Sequence, residues 1–329
     1  MNDIATRPVR EKSPWTVAFE NRKHLGDFST PAWKQAYGII NKDFSRFEIL
    51  DCPNKAGLTI DCGHARIKNQ AIGIEGNTLM VHISDVASFI PKDSPLDVEM
   101  QSRVISIQNS RILPFRLAKE QFSLEQNQKT KCLTFQWAFD EYGEINQLRR
   151  KIYHSNVEVP ISISFEQADG ILEDPLHKYH PVIRSLKSIG EHLVDLRIRN
   201  EWTFTRERKK TWVEKNGQWI FTDYIDGSQS PNDWIMQEVM ILVNYTVASL
   251  LDQLGIHGCY TDPYRSPNGI RYCQATAPMH NLEDLVNQRI LLALLSLGKI
   301  PIPYTLEEME EIKTKTNRMY FARSSGGKK

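Results

Sequence analysis

The sequence predicts an α+β fold in which long helices pack on a mixed β-sheet core. Short β-rich runs occupy the first half of the chain, such as Thr78–Ile83 and the alternating segment Leu133–Phe139. Apolar residues at helical spacing dominate the second half, over 180–199, 233–253 and 282–297. Because strands come early and helices late, the order favours an α+β arrangement over repeated βαβ units.

Composition excludes several classes of protein. The chain has 329 residues, with 41 Lys and Arg against 40 Asp and Glu, which gives a formal net charge of +1. Its hydrophobic fraction of 40% is ordinary for globular proteins and excludes a disordered or collagen-like chain. The neutral total argues against binding of nucleic acid by bulk electrostatics alone, although it allows a local basic cleft.

Cysteine usage and hydropathy bear on cofactors and location. The five cysteines form no CxxC pair and do not cluster with histidines at zinc spacing, so we expect reduced thiols, no metal and no cofactor. This pattern favours a cytoplasmic protein. The longest apolar run, Ile290–Leu295, is far shorter than the ~20 residues that span a bilayer, so we expect no membrane association.

The chain divides into three predicted parts. Residues 1–46 alternate between charged and aromatic residues and are expected to form an N-terminal extension that packs on the core. The core domain is expected to cover 47–323, with a hairpin around Asn216-Gly217 and a final helix from Leu306. The remaining residues, 324–329, are expected to form a disordered tail.

Several sequence landmarks occur in a fixed order along this core. They are Thr59–Ile72 with Leu79–Val86, then Ser94–Asp97, Arg111–Pro114, Phe122–Leu124 and Asp140–Ile145, and finally Tyr272–Arg289. Together they resemble the RNB catalytic domain of the ribonuclease II and ribonuclease R family, from about residue 50 to 320. The resemblance implies an RNB-like fold. We expect a stand-alone core, because the cold-shock and S1 modules of those nucleases have no room here.

The resemblance also implies four aspartates on one loop that bind two catalytic metal ions. The same four positions hold Asp61, Ile67, Asn69 and Gln70 in this sequence. One carboxylate is kept, one ligand becomes a hydrocarbon and two become uncharged amides. Since Mg²⁺ requires anionic oxygen ligands, we predict a degenerate metal site and no Mg²⁺-dependent exoribonuclease activity.

A second departure concerns the phosphate-binding side of the cleft. The position that resembles the family's phosphate-stabilising arginine holds His280, and an imidazole lacks the bidentate fork of a guanidinium. Asp284 lies four residues later on the same helix face and could orient this imidazole as a general base. A capping or structural contact is the alternative interpretation of this pair.

Other polar residues complete the candidate site. Asp61 and His64 are further candidate catalytic residues, with structural hydrogen bonding or a plain loop position as the alternatives. Tyr272, Thr276 and Arg289 are candidate ligand-binding residues of the third landmark.

Two functions follow, from different classes. The first is a pseudonuclease that binds RNA, including tRNA, or a nucleotide-like ligand in the retained cleft without cleaving it. The alternative is a repurposed, metal-independent hydrolase, lyase, isomerase or cyclase that acts on a small molecule, as in specialised biosynthesis. Residual exoribonuclease activity is a weaker third hypothesis. The sequence does not indicate an oligomeric state.

Overall fold

The fold is described from a computed structural model of the chain. The structure describes residues 28–40, 53–63, 65–106, 111–201, 210–215, 218–223, 231–261 and 270–326. The strands are β1 (Asn54–Ala56), β2 (Thr59–Asp61), β3 (Gln70–Glu75), β4 (Thr78–Ser84), β5 (Lys129–Phe139), β6 (Ile145–Glu158), β7 (Ser162–Ser164), β8 (Lys210–Lys215) and β9 (Gln218–Asp223). The helices are α1 (Thr30–Ile40), α2 (Pro95–Arg103), α3 (Phe115–Leu117, continued by a π-helix over Ala118–Phe122), α4 (Phe165–Glu173), α5 (His180–Arg199), α6 (Pro231–Gln253), α7 (Leu282–Leu295) and α8 (Leu306–Gly326).

The main sheet has five strands in the order β1-β6-β5-β4-β3. Strand β1 runs parallel to β6, whereas the other neighbours are antiparallel, so the sheet is mixed. A parallel pair, β2 with β7, and an antiparallel hairpin, β8 with β9, complete the described strands. The predicted α+β fold with a mixed sheet and long helices is confirmed.

Strand β5 is buried on both faces of the sheet. Because side chains alternate along a strand, Leu133, Phe135 and Trp137 point into the main core. Cys132 points the other way and joins a smaller apolar cluster with Val157 and its neighbours. Burial on both faces accounts for the dense run of apolar and β-branched residues that marked this strand in the sequence.

A buried polar line lies on the second face of the sheet. The His82 Nδ1 lies 2.8 Å from the Thr134 hydroxyl, which lies 2.5 Å from the Ser155 hydroxyl. Burial, and secondarily the charge of Lys55, lowers the pKa of His82 to about 3. A Cβ added at Gly57 would come within 2.9 Å of the His82 ring. Only glycine therefore lets the backbone lie this close to the imidazole.

The long helices follow the predicted segments closely. Helix α5 covers the predicted range 180–199, and α6 contacts it where Gly190 lies against Ile235. A Cβ at Gly190 would lie 2.9 Å from the Ile235 side chain, so this glycine permits the close helix crossing. Within α6, the window Ile235–Gln253 is long and apolar enough to span a membrane, but 67% of it is buried inside the protein.

The chain ends bear on the predicted domain boundaries. The described part of the predicted extension includes α1, which buries Ala32, Ala36 and Ile39. Its Gln35 side chain donates to the Ser94 hydroxyl and accepts the Leu96 amide, which joins α1 to α2. At the other end α8 continues to Gly326, so 324–326 are helical where we expected a disordered tail. Residues 1–27, 41–52 and 327–329 lie outside the described residues.

Candidate functional site

Helix α7 is a buried helix that carries polar side chains into the centre of the protein. Every residue from 282 to 291 on it is buried. The Gln288 carboxamide accepts the amides of Val86 and Ala87, each at 2.9 Å, and donates to the Ser84 carbonyl at 2.8 Å. These three hydrogen bonds fix the segment that follows β4 against the helix, so a polar residue in the core here specifies packing.

Arg289 lies beside this clamp and is 4% exposed. Its Nη1 lies 2.6 Å from the Asp97 carboxylate and 2.5 Å from the Tyr304 hydroxyl, and its other nitrogens donate to the Ile90 carbonyl. Burial raises the pKa of Tyr304 to about 12. Because the guanidinium is enclosed by protein partners, this placement favours a structural role over the ligand contact that we expected.

The other two predicted ligand-binding residues lie in the segment before α7. Tyr272 is buried, and its hydroxyl accepts a hydrogen bond from the Asn244 side chain of α6 at 2.8 Å. The same Asn244 accepts the Ala275 amide at 2.8 Å, so one side chain ties this segment to α6. Thr276 follows directly and is half-buried, which leaves it more accessible than Tyr272.

The four positions at which we predicted a degenerate metal site lie in very different surroundings. Asp61 ends β2, where it is half-buried and accepts the Cys62 amide at 2.8 Å. Ile67 is 8% exposed and belongs to the main hydrophobic core. Asn69 is buried, with its Oδ1 lacking a hydrogen-bond partner, and Gln70 begins β3. No group of three or more His, Cys, Asp or Glu side chains in the described part of the chain is arranged to hold a metal ion.

His280 and Asp284 begin the α7 region, but their surroundings differ from the predicted acid–base pair. The Asp284 carboxylate accepts the Ala277 amide at 2.7 Å, which fixes the turn before the helix. Burial, followed by the positive charge of Arg111, lowers the pKa of His280. Both effects disfavour the protonated imidazole, whereas an orienting carboxylate would favour it. His64, the remaining candidate, lies outside the described residues.

Sequence reasoning missed a basic and aromatic cluster, Arg66, Arg111 and Phe115. The guanidinium carbons of Arg66 and Arg111 lie 4.6 and 5.0 Å from the centre of the Phe115 ring. Arg66 lies 45 positions before Arg111 and 49 before Phe115, so no local pattern joins it to these two residues. A partial signal was present, because Phe115 directly follows the landmark Arg111–Pro114.

Comparison with known proteins agrees with this architecture. The RNB domain matches residues 51–269, and the chain therefore belongs to the RNB-domain family. Ribonuclease R of Thermotoga maritima is 27% identical over 226 residues, which cover 64% of this chain and 31% of the relative. Exoribonuclease 2 of Edwardsiella piscicida is 22% identical over 83% of this chain and 44% of the relative.

Solved structures show the same fold. Mycoplasma genitalium RNase R, in complex with ribose-methylated single-stranded RNA, superimposes with a TM-score of 0.67 at 15% identity, covering 90% of this chain and 58% of that one. Yeast Ssd1, described as a pseudonuclease, superimposes with a TM-score of 0.60 at 16% identity, covering 90% of this chain and 44% of that one. The chain thus spans less than half the length of the curated relatives named above.

Proposed function

We propose that this chain is a catalytically degenerate RNB protein that binds RNA or a nucleotide-like ligand in its cleft without cleaving it. The observation that carries this proposal is the burial of Ile67 in the hydrophobic core. A hydrocarbon side chain has no oxygen to offer a divalent cation, and it is held in place by apolar neighbours. The position can therefore contribute only packing.

The other three positions of the proposed degenerate metal site also argue against metal-dependent cleavage of RNA. Asn69 and Gln70 are neutral amides, so Asp61 is the single carboxylate among the four positions. A two-metal site needs several anionic ligands to offset the charge of two divalent cations, and one carboxylate is not enough. The scaffold around the site, by contrast, keeps the buried hydrogen bonds of Gln288 and Arg289.

Two neighbours of the same fold are compatible with binding of RNA without cleavage. Mycoplasma genitalium RNase R is known in complexes with single-stranded and with double-stranded RNA, and this chain has its fold. Yeast Ssd1 is a pseudonuclease of the same fold. An RNB fold that binds RNA and an RNB fold that has lost cleavage are therefore both known among these neighbours.

The contacts of the described residues do not favour the repurposed enzyme. Asp284 accepts the Ala277 amide, which gives this carboxylate a structural role, and burial with the nearby Arg111 lowers the pKa of His280. A cytoplasmic location remains part of the proposal, on the cysteine pattern alone.

The test measures binding and cleavage on the same RNA. The full chain is titrated into a fluorescein-labelled single-stranded oligoribonucleotide across a salt series, with anisotropy as the readout. Parallel samples with Mg²⁺ or Mn²⁺ are resolved on a denaturing gel. We expect binding at micromolar protein that weakens as salt is added. The slope of the logarithm of the binding constant against the logarithm of salt concentration should be about −0.7 for each phosphate contact. No shortened product should form.

Two results would overturn the proposal. Processive shortening of the RNA that disappears in Asp61→Asn would establish a working nuclease site. Absence of salt-dependent binding at micromolar protein would remove RNA as the ligand.

A further inference from the structure

The cluster of Arg66, Arg111 and Phe115 brings two positive charges to one accessible ring. Arg66 is exposed, whereas Arg111 and Phe115 are half-buried. Both guanidiniums lie within 5.0 Å of the ring centre, which is the range of a cation–π contact. Two cations near one ring repel each other, so an anion bound between them would be stabilised by both.

These two arginines differ from others in the described part of the chain. Arg103, Arg116 and Arg289 each form an ion pair with a carboxylate, at 3.3, 2.8 and 2.6 Å. Arg66 and Arg111 form no such pair with any described carboxylate, and both charged groups contact the Phe115 ring. Their positive charge is thus not neutralised within the described protein.

Backbone hydrogen bonds place this cluster beside the former active site. The Ile112 amide donates to the Ser106 hydroxyl, and the Ser106 amide donates to the His280 carbonyl at 2.7 Å. Arg111 is therefore held next to His280, and Arg66 directly precedes Ile67 of the degenerate metal loop. The cluster therefore links Ile67 with His280, two positions at which the sequence departs from the family pattern.

We propose that Arg66, Arg111 and Phe115, with His280 beside them, form a binding site for a phosphodiester group and adjoining base of single-stranded RNA. The guanidinium forks supply N–H donors to the phosphate oxygens, and the ring offers a stacking surface for a base. This inference rests on the proposed function and assigns residues to its ligand. The position that resembles the family's phosphate-stabilising arginine holds His280 here, and Arg111 supplies positive charge near it.

A purely structural role makes a different prediction. Arginine stems can cover an exposed phenylalanine and keep it from water, in which case substitution would change stability and leave RNA binding intact. Binding and stability are therefore both measured for every variant.

The experiment compares substitutions inside the cluster with a matched control next to it. Arg66→Gln, Arg111→Gln and the double variant are titrated into a labelled oligouridylate across a potassium chloride series. Each single variant is expected to bind about tenfold more weakly. The salt slope should fall by about 0.7 for each lost contact, and by about 1.4 in the double variant. Arg116→Gln is the control, since Arg116 is exposed and pairs with Glu120.

A further variant separates the charge from the ring. Phe115→Leu keeps an apolar side chain but removes the π-face, so RNA should bind more weakly while the salt slope stays at the value of the unsubstituted chain. A reduced salt slope in this variant would contradict the division of roles between ring and guanidiniums.

The outcomes distinguish this site from the function on which it rests. If the unsubstituted chain binds RNA but Arg66→Gln and Arg111→Gln bind as Arg116→Gln does, the site is wrong and the proposed function stands. If the unsubstituted chain does not bind RNA at all, the proposed function fails first. Thermal unfolding of each variant verifies that lost binding is not lost folding.

Discussion

Arginines occur in two contrasting regions of this molecule, the buried network around α7 and the more accessible cluster around Phe115. Arg289 is enclosed and has an ion pair with Asp97, so its charge is used within the fold. Arg66 and Arg111 lie on an accessible ring and pair with no described carboxylate. The same side chain therefore supports the scaffold in one region and is available to an anion in the other. The presence or absence of a carboxylate partner distinguishes the two roles.

The largest expected effect tests the buried side of this comparison. Arg289→Ala leaves the Asp97 carboxylate buried without its cation, which should lower the free energy of unfolding by about 3–5 kcal/mol. Urea denaturation followed by circular dichroism measures the loss. Arg289→Lys keeps the positive charge but not the planar fork of donors, so its free energy of unfolding should lie between those of Arg289→Ala and the unsubstituted chain. An Arg289→Ala protein within about 1 kcal/mol of the unsubstituted chain would show that the network does not support the fold.

Removing an uncharged member of the same region sharpens the comparison. Gln288→Leu leaves the amides of Val86 and Ala87 and the Ser84 carbonyl without their partner, at an expected cost of about 2–4 kcal/mol. Hydrogen exchange at those two amides should accelerate along with the loss of stability. The exposed residue Gln253 provides the control, and Gln253→Leu should change stability by less than about 0.5 kcal/mol. Slow exchange at both amides in Gln288→Leu would be inconsistent with the clamp.

A buried histidine extends the comparison to pH. Unfolded His82 takes up a proton near pH 6.5, whereas the folded group stays neutral down to about pH 3. Acid therefore favours the unfolded chain, and this group should lower stability by about 1.4 kcal/mol per pH unit as the pH falls below 6.5. His82→Gln should reduce the slope of stability against pH between about 6.5 and 5 by that amount, measured by urea denaturation at each pH. His257→Gln, at an exposed position, serves as the control; equal slopes in all three proteins would refute this origin.

The smallest expected effect tests the accessible side. Arg66→Gln and Arg111→Gln leave no buried carboxylate unpaired and remove only a contact with the Phe115 ring. Their stability should therefore change by less than about 1 kcal/mol, far below the loss in Arg289→Ala. Thermal unfolding monitored by tryptophan fluorescence measures this. A loss of stability as large as that of Arg289→Ala would mean that Arg66 and Arg111 also support the fold, and the two regions would not differ.

The fold could be predicted from the sequence because its signals are local. The spacing of apolar residues over 180–199 predicted α5 with its bounds, and the alternation around Phe135 predicted the central strand. The bulge in β5 between Gln136 and Ala138 could not be predicted, because it depends on the register with β6.

The candidate site was predictable only in part. The loss of carboxylates at 67, 69 and 70 can be read directly from the sequence. The role of Arg289 could not, since its partner Asp97 lies 192 residues earlier and an arginine near a cleft looks the same whether or not it is paired. The cluster at Phe115 was missed for a similar reason, because a tertiary contact brings Arg66 to a ring that Arg111 reaches from four residues away.

The separation of Asp97 and Arg289 along the chain also implies a delay during synthesis before the two residues can pair. A ribosome that adds roughly 5–20 residues per second needs about 10–40 seconds to pass from the carboxylate to its arginine. Throughout that interval Asp97 lacks the ion pair with Arg289 that it has in the core. The segment from Ser84 to Ala87 likewise lacks its hydrogen bonds to Gln288. The segment from Ser84 to Asp97 therefore gains these buried partners only after α7 has been synthesised.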